Sequence, residues 1–283
     1  MNTATAPAPT PAAHPDPTAA RIAILERALA DVVEEVRSLR KRVLPLDAEK
    51  RLRDAGRAPR MPIEFRAQFA EDIALHTLLG DTPDGIIIEV GAFDGKTLSV
   101  SYALDAIGWD CLLIEAIPER YAQCVKNRPH ARVVHAALSH AHAPSQLEFT
   151  VTDDHFGGML SYLTTDPDHL AAIQRNKNPT RQVRVPVTTM DALLEGETRP
   201  IAAASIDVEG GEVDLLKGFD LARHRPRILI IEDNTRSNPG PAKVSSVERY
   251  MLTQPYTYIG FIGCNRLYVR ADLTELIARA RAM

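Results

Sequence analysis

The hydrophobic positions of this chain change period several times, and each change marks a boundary. Residues 1–19 are rich in Ala, Pro and Thr with few large apolar side chains, so burial there cannot offset chain entropy and a disordered tail is expected. From residue 20 the spacing becomes heptad. Ile22, Leu29, Val36 and Val43 fall at one core position, and Leu25, Val32 and Leu39 at the other. Glu26, Glu34, Glu35, Arg37, Arg40, Lys41 and Arg42 fill the faces between them. Glu35 and Arg40 stand where neighbouring helices of a parallel coiled coil exchange charge. This pattern predicts a helix over 20–44 that joins copies of the chain into a homo-oligomer. The competing expectation is an amphipathic helix packed on its own domain. Leu44-Pro45-Leu46 is expected to end the helix, because proline has no N–H for the ladder. Residues 45–62 then read as a basic, irregular linker.

Residues 63–283 read as one α/β domain. Short apolar runs predict buried strands at 86–90, 111–115, 133–138, 202–206 and 228–231. Helical patterns accompany them at 63–79, 97–107, 118–127, 211–217 and 244–252. Residues 146–152 and 183–188 alternate apolar and polar, as added strands flanking an irregular stretch at 153–181 that carries Gly157-Gly158 and Asn178-Pro179. Strands near 256–262 and 266–270, joined through Gly263-Cys264-Asn265, read as a closing hairpin. Alternating strands and helices closed by a hairpin argue a mostly parallel, Rossmann-like sheet with an antiparallel edge.

Composition narrows the partners without choosing a function. With 33 Lys and Arg against 37 Asp and Glu, the net charge of -4 gives no footprint for nucleic acid. Cys111, Cys124 and Cys264 are odd in number and lack metal-ligand spacing, which favours a reducing compartment. No run approaches the roughly 20 apolar residues of a membrane span, and no basic region precedes an apolar leader. A cytoplasmic protein is therefore expected.

The densest chemistry lies at the first buried strand. Ile86-Ile87-Ile88-Glu89-Val90-Gly91-Ala92-Phe93-Asp94-Gly95 ends in an acidic residue and two glycines four apart, a turn whose backbone approaches a ligand closely. About twenty residues on, Cys111-Leu112-Leu113-Ile114 ends in Glu115, placed to accept hydrogen bonds from a ribose diol. The turn lacks the Gly-x-Gly-x-x-Gly spacing of a pyrophosphate site, and no Gly-Lys-Ser/Thr follows. Glu89 and Asp94 add negative charge that repels phosphate and suits a cation. S-Adenosylmethionine, with its sulfonium and ammonium groups, meets that demand. Glu89, Gly91, Ala92, Asp94, Gly95, Glu115, Ala116, Ala137 and Asp207 are the expected cofactor contacts. A βαβ unit that binds no nucleotide is the plainer reading of the same residues.

Four blocks resemble the FkbM family of methyltransferases, which have the seven-stranded class I fold. They are Glu89-Val90-Gly91-Ala92-Phe93-Asp94-Gly95, Leu113-Ile114-Glu115-Ala116-Ile117-Pro118, Val187-Thr188-Thr189-Met190-Asp191, and Ser205-Ile206-Asp207-Val208-Glu209-Gly210-Gly211-Glu212 followed by Leu215-Leu216-Lys217-Gly218. Similarity runs from about residue 84 to 270 and leaves out the heptads. Phe93-Asp94 stands where the commonest family form has Asn, and Ala116 stands where it has Pro. These departures point to a divergent branch near the subgroup that resembles the eukaryotic Star proteins.

The resemblance implies S-adenosylmethionine and a hydroxyl acceptor on a sugar, glycan or polyketide. Asp207, after the fourth strand, is the expected base or acceptor-orienting residue, with His155 in the irregular insertion as a rival. Asp207 with Glu232 or Asp233 forms a candidate Mg²⁺ set, by analogy with macrolide-sugar O-methyltransferases of similar fold. Glu209-Gly210-Gly211 also reads simply as a helix start. His135, at a strand end, is a candidate to flank the adenine. Trp109 and Tyr102 read as core or subunit contacts. A different class remains in view, an inactive descendant that keeps the fold for binding and assembly. A short-chain dehydrogenase does not fit, for want of a Tyr-x-x-x-Lys pair and a Gly-x-x-x-Gly-x-Gly turn.

Overall fold

The computed structural model describes residues 17–152, 180–233 and 244–283. Its centre follows from strands with no solvent face. Every residue of β1 (Ile86–Val90), β7 (Ile201–Ile206) and β8 (Ile228–Glu232) is buried, as is all of β2 (Asp110–Glu115) except its first residue. Strands of that kind need cover on both sides. They lie in a seven-stranded sheet with β3 (Arg132–His135), β9 (Tyr256–Ile262) and β10 (Asn265–Arg270), in the order β3-β2-β1-β7-β8-β10-β9. The five strands from β3 to β8 pair in parallel, and β10 runs antiparallel to both β8 and β9.

Alternate side chains sort into two apolar layers. Ile87, Leu113, Ala203 and Ile230 join α2 (Glu71–Leu79), α3 (Tyr102–Ile107) and α9 (Thr274–Arg281) on one face. Ile86, Ile88, Leu112, Ala204 and Leu229 join α5 (Met190–Leu193), α6 (Glu212–Lys217), α7 (Leu221–His224) and α8 (Ser246–Met251) on the other. Between β2 and β3 runs α4 (Pro118–Asn127), with proline in its first turn, where no N–H is needed. Chain order reverses between β1 and β7, which opens a crevice at their carboxyl ends.

Several boundaries differ from the sequence reading. The helix expected over 63–79 starts at Glu71, because Ile63, Phe65 and Ala67 bury themselves from irregular backbone. The one expected over 97–107 shrinks to Tyr102–Ile107, since Glu89 holds the preceding loop in another shape. The third strand splits at Ala136. Its second part, β4 (Ala137–Leu138), leaves the main sheet and pairs in parallel with β6 (Thr180–Thr188), which pairs antiparallel with β5 (Gln146–Thr152). Most of the irregular stretch at 153–181 lies outside the described residues, and its last two residues belong to β6.

The largest correction is at the N-terminus. One helix, α1 (Pro17–Asp54), runs straight through Pro45, so the expected linker begins only after Asp54. Proline removes one ladder bond, yet Ala48 and Leu52 continue the helix into the core at 0% and 1% exposure. Lys41 Nζ donates to Ala67 O at 2.8 Å, and Arg51 meets Asp81 at 2.6 Å. Tertiary burial outweighs the lost bond. Residues 1–16 of the expected tail lie outside the described residues. No helix among the described residues is long and apolar enough to cross a membrane.

Candidate functional site

The carboxyl ends of β1, β2 and β7, with β4 and β5 to one side, enclose a cleft of about 1280 Å³ counted out to its open mouth. Of the expected cofactor residues, Glu89, Gly91, Ala92, Glu115, Ala116, Ala137 and Asp207 line it. Gly91 has φ 81°, and a Cβ there would stand 1.8 Å from the carbonyl oxygen of Asp207. Only glycine lets the turns after β1 and β7 touch. Asp207 N closes the contact by donating to Val90 O at 3.2 Å.

Glu115 ties two loops together. Its carboxylate accepts from Phe93 N at 2.7 Å and from Ile117 N at 2.8 Å. The carboxylate also lines the cleft, where its remaining acceptor capacity suits a diol. Burial pushes its pKa up to about 7 despite the amide bonds. Glu89 serves the neighbouring loop, accepting from Ser99 Oγ, Val100 N, Ser101 N and Ser101 Oγ. Beneath both lies Arg128, a fully buried guanidinium. It reaches Asp105 at 2.8 Å, Gly95 O at 3.0 Å and the hydroxyls of Ser99 and Ser101, with Glu89 at 4.0 Å. Sequence reasoning missed Arg128, because an arginine after a helix reads as an ordinary partner for the helix dipole.

Two expected contacts are displaced. Asp94 turns onto its own loop, where it accepts from Lys96 N, Thr97 N and Thr97 Oγ1. Gly95 has φ 75° and packs under the turn, where a Cβ would meet Cys124 Sγ at 2.7 Å and Arg128 Cγ at 2.9 Å. Neither lines the cleft. His135 is not beside the cofactor space either. It stacks on Tyr121 at 5.1 Å, with Nε2 3.0 Å from Ala116 O. Trp109 and Tyr102 are core residues. His155 lies outside the described residues.

A second acidic group gathers beyond β7 and at the end of β8, with Asp207 and Glu209 lining the cleft. Carboxylate oxygens of Asp207, Glu209 and Glu232 lie within 4.8 Å of one another. Glu232 ends β8, and its pKa is raised well above the usual range, by burial first and then by the charges of Asp207, Glu209 and Glu212. Asp207 is raised too, by burial and by the charge of Glu89, although a hydrogen bond from Glu232 works against this. Asp207 lines the cleft and presents an exposed surface there. Asp233 does not join the group. One residue further along, it points away and pairs with Arg266 and Ser245 Oγ. Glu209, read only as part of a helix start, takes its place at φ 55°. Glu212 accepts from Val208 N and Gly210 N and so shapes that loop, and burial pushes its pKa up to about 6.

Other parts of the wall were not anticipated. Phe149 reaches in from β5, and Asn265, at the hairpin, donates to Glu71 at 2.6 Å. Glu71, Glu89, Glu115, Asp207 and Glu209 all line the cleft, and no Lys, Arg or His does so among the described residues. Such a wall rejects phosphate and favours a cationic ligand.

This strand order, with an antiparallel strand slotted between β8 and β9 and acidic residues ending β1, β2 and β8, defines a class I methyltransferase fold. The Methyltransferase FkbM domain matches residues 89–259, and the chain belongs to that family. It is a methyltransferase by family, and the family implies S-adenosylmethionine as cofactor. Among solved structures it is similar to a methyltransferase from Geobacter sulfurreducens, at 11% identity over 80% of this chain and 88% of that one, TM-score 0.40. A precorrin-6y C5,15-methyltransferase from Geobacter metallireducens matches at 9% identity over 71% and 86%, TM-score 0.36. The METTL16 methyltransferase domain matches at 14% over 75% and 70%, TM-score 0.38. No curated protein matches the chain.

Proposed function

We propose that this protein is an S-adenosylmethionine-dependent O-methyltransferase whose acceptor is a hydroxyl on a neutral sugar, glycan or polyketide-type molecule. The observation that carries the reading is the cleft itself, lined by five carboxylates and, among the described residues, by no basic side chain. Its residues fit the cofactor. Gly91 leaves the space a Cβ would fill, Glu115 keeps acceptor sites for a ribose, and the acidic wall suits a sulfonium and an ammonium. When bound, the cofactor supplies an electrophilic methyl group.

The chain supplies the base. Asp207 and Glu232 share a hydrogen bond, and burial raises both, so the pair takes up a proton more readily than exposed carboxylates do. Asp207, facing the cleft, orients the acceptor hydroxyl and takes its proton as the oxygen is methylated. A Mg²⁺ ion is the other occupant those oxygens suit, with Asp207, Glu209 and Glu232 as its ligands, where its charge would lower the hydroxyl pKa. A cation and the shared proton compete for the same oxygens.

Calorimetry with S-adenosylmethionine tests the cofactor, and mass spectrometry of candidate hydroxyl acceptors tests the transfer. Binding together with gain of one methyl group is expected. No binding of S-adenosylmethionine refutes the reading. Binding with no turnover on any hydroxyl acceptor favours the alternative, an inactive fold kept for binding or assembly. Turnover that survives EDTA assigns the carboxyl pair to proton transfer alone.

A further inference from the structure

From Ile22 to Leu46, α1 carries an apolar stripe that its own domain leaves uncovered. Ile22, Leu25, Leu29, Val32, Val36, Leu39, Val43 and Leu46 are all between 45% and 68% exposed. The helix meets its own domain through another face. Lys41, Leu44, Ala48 and Leu52, spaced three or four apart, are the residues that pack or hydrogen-bond onto the core. Val36, Leu39, Val43 and Leu46 lie on the opposite side of the same turns. The stripe is therefore not the unfinished edge of an intramolecular contact. It is a second surface on a helix already anchored by its first.

The flanking charges say what covers it. Continuation of the helix through Pro45 adds Leu46 to the stripe and Asp47 to the flank. With Ile22 at the first core position of its heptad, the flanking pairs that face one another in a parallel, in-register pair of chains are Arg21 with Glu26, Ala28 with Val33, Glu35 with Arg40, and Arg42 with Asp47. Three are opposite charges and the fourth is apolar. An antiparallel pair with the same overlap sets Arg21 against Arg42 and Glu26 against Asp47, both repulsive. Among the described residues, Arg21, Glu26, Glu35, Arg40 and Arg42 have no ion-pair partner within the chain, while Asp47 meets Arg51 at 3.0 Å. The core positions agree on two strands. Ile22, Val36 and Val43 put β-branched residues at three of four first positions, and Leu25, Leu39 and Leu46 put leucine at three of four second positions.

From this we infer that the occupant of the stripe is a second copy of this chain, in a parallel, in-register two-stranded coiled coil over residues 21–47. Because Ala48 and Leu52 are fixed in the core, both catalytic domains hang from the same end of the rod, side by side. Neither domain can then drift independently of the other, as it would on a flexible linker.

The test uses the full-length protein at micromolar concentration. Light scattering should give a dimer, and Leu25→Cys should form an interchain disulfide under mild oxidation, as symmetry sets position 25 against itself only in the parallel arrangement. Glu35→Arg alone and Arg40→Glu alone should each weaken the dimer about tenfold, since each turns two attractive pairs into repulsive ones. Mixing the two variants should restore it as a heterodimer in which both pairs are attractive again. These changes sit on an exposed helix face, so the domain stays folded in every case. A monomeric wild type overturns the inference. So does a dimer in which Leu25→Cys fails to crosslink and the charge variants behave as wild type.

Discussion

Two pairs of acidic residues end neighbouring strands of one sheet, and the structure uses them in opposite ways. Glu89 and Glu115, from β1 and β2, are satisfied by hydroxyls and backbone amides that fasten the loops above them. Asp207 and Glu232, beyond β7 and at the end of β8, share a hydrogen bond, and burial with mutual repulsion raises Glu232 well above an ordinary carboxylate. Glu89, Glu115 and Asp207 line one cleft, with Glu232 buried beside Asp207, and residue type does not distinguish the pairs. What distinguishes them is the supply of donors. A carboxylate given several N–H groups becomes part of the frame, while one set against another carboxyl is pushed toward holding a proton or a cation. On the proposed reading, the first pair shapes the cofactor space and the second serves the chemistry.

The sharpest way to break this contrast is Asp207→Asn. If the second pair carries the chemistry, the variant should bind S-adenosylmethionine as wild type does and lose transfer to a hydroxyl acceptor by about a thousandfold, the scale of a missing general base. Equal losses in cofactor affinity and turnover would place Asp207 with the framing pair instead.

Glu89→Ala should act on stability. It removes the acceptor for four hydrogen bonds and leaves Arg128 with only Asp105 as a close buried counter-charge. Breaking a buried network of this kind costs about 3 kcal/mol. Chemical denaturation should show that loss, with proteolysis first at the loop of residues 96–101. A variant as stable as wild type would mean that the loop is held by its other contacts.

Much of this was legible in the chain and some was not, for physical reasons. Ile86-Ile87-Ile88 and Ile228-Leu229-Ile230-Ile231 announced buried strands because a strand covered on both faces has no polar alternation to confuse it. Gly91 and Glu115 were readable because a turn and a strand end fix backbone geometry within a few residues. Asp94 and Gly95 were misplaced because the same local pattern also serves a side chain folded onto its own loop. Asp233 and Glu209 were exchanged because strand alternation and a positive φ decide which way a carboxylate points. The helix through Pro45 was misread for a third reason, since local propensity forbids it and only the distant core that receives Ala48 and Leu52 overrides the rule. Arg128 stayed hidden because its partners at Asp105, Ser99 and Glu89 come together only in the fold.

Glu115→Gln sharpens the contrast from the framing side. Glutamine keeps an acceptor for one of the two loop amides but loses the charge and one acceptor oxygen, so the loops should hold while the grip on a ribose diol weakens. Cofactor affinity should fall by about tenfold to a hundredfold, the scale of a charge-assisted hydrogen bond, with little change in turnover at saturation. A fall in saturated turnover without a fall in affinity would move Glu115 into the reacting group.

The smallest effect is expected from pH. Burial raises Glu115 to about 7 when no ligand is bound, and Asp72 and Glu212 are raised to about 7 and about 6 by the same cause. The folded protein therefore holds protons that the unfolded chain has already released above pH ~5. Its stability should decline as pH rises from about 5 toward 8, with no further loss once these groups are ionised in both states. Cofactor binding should run the other way, because the diol is gripped by ionised Glu115. Affinity for S-adenosylmethionine should rise by up to about tenfold between pH ~6 and pH ~8, and that slope should vanish in Glu115→Gln. Calorimetry across this range separates the two pairs once more. A slope that persists in Glu115→Gln but disappears in Glu232→Gln would mean that the linked proton belongs to the Asp207–Glu232 pair.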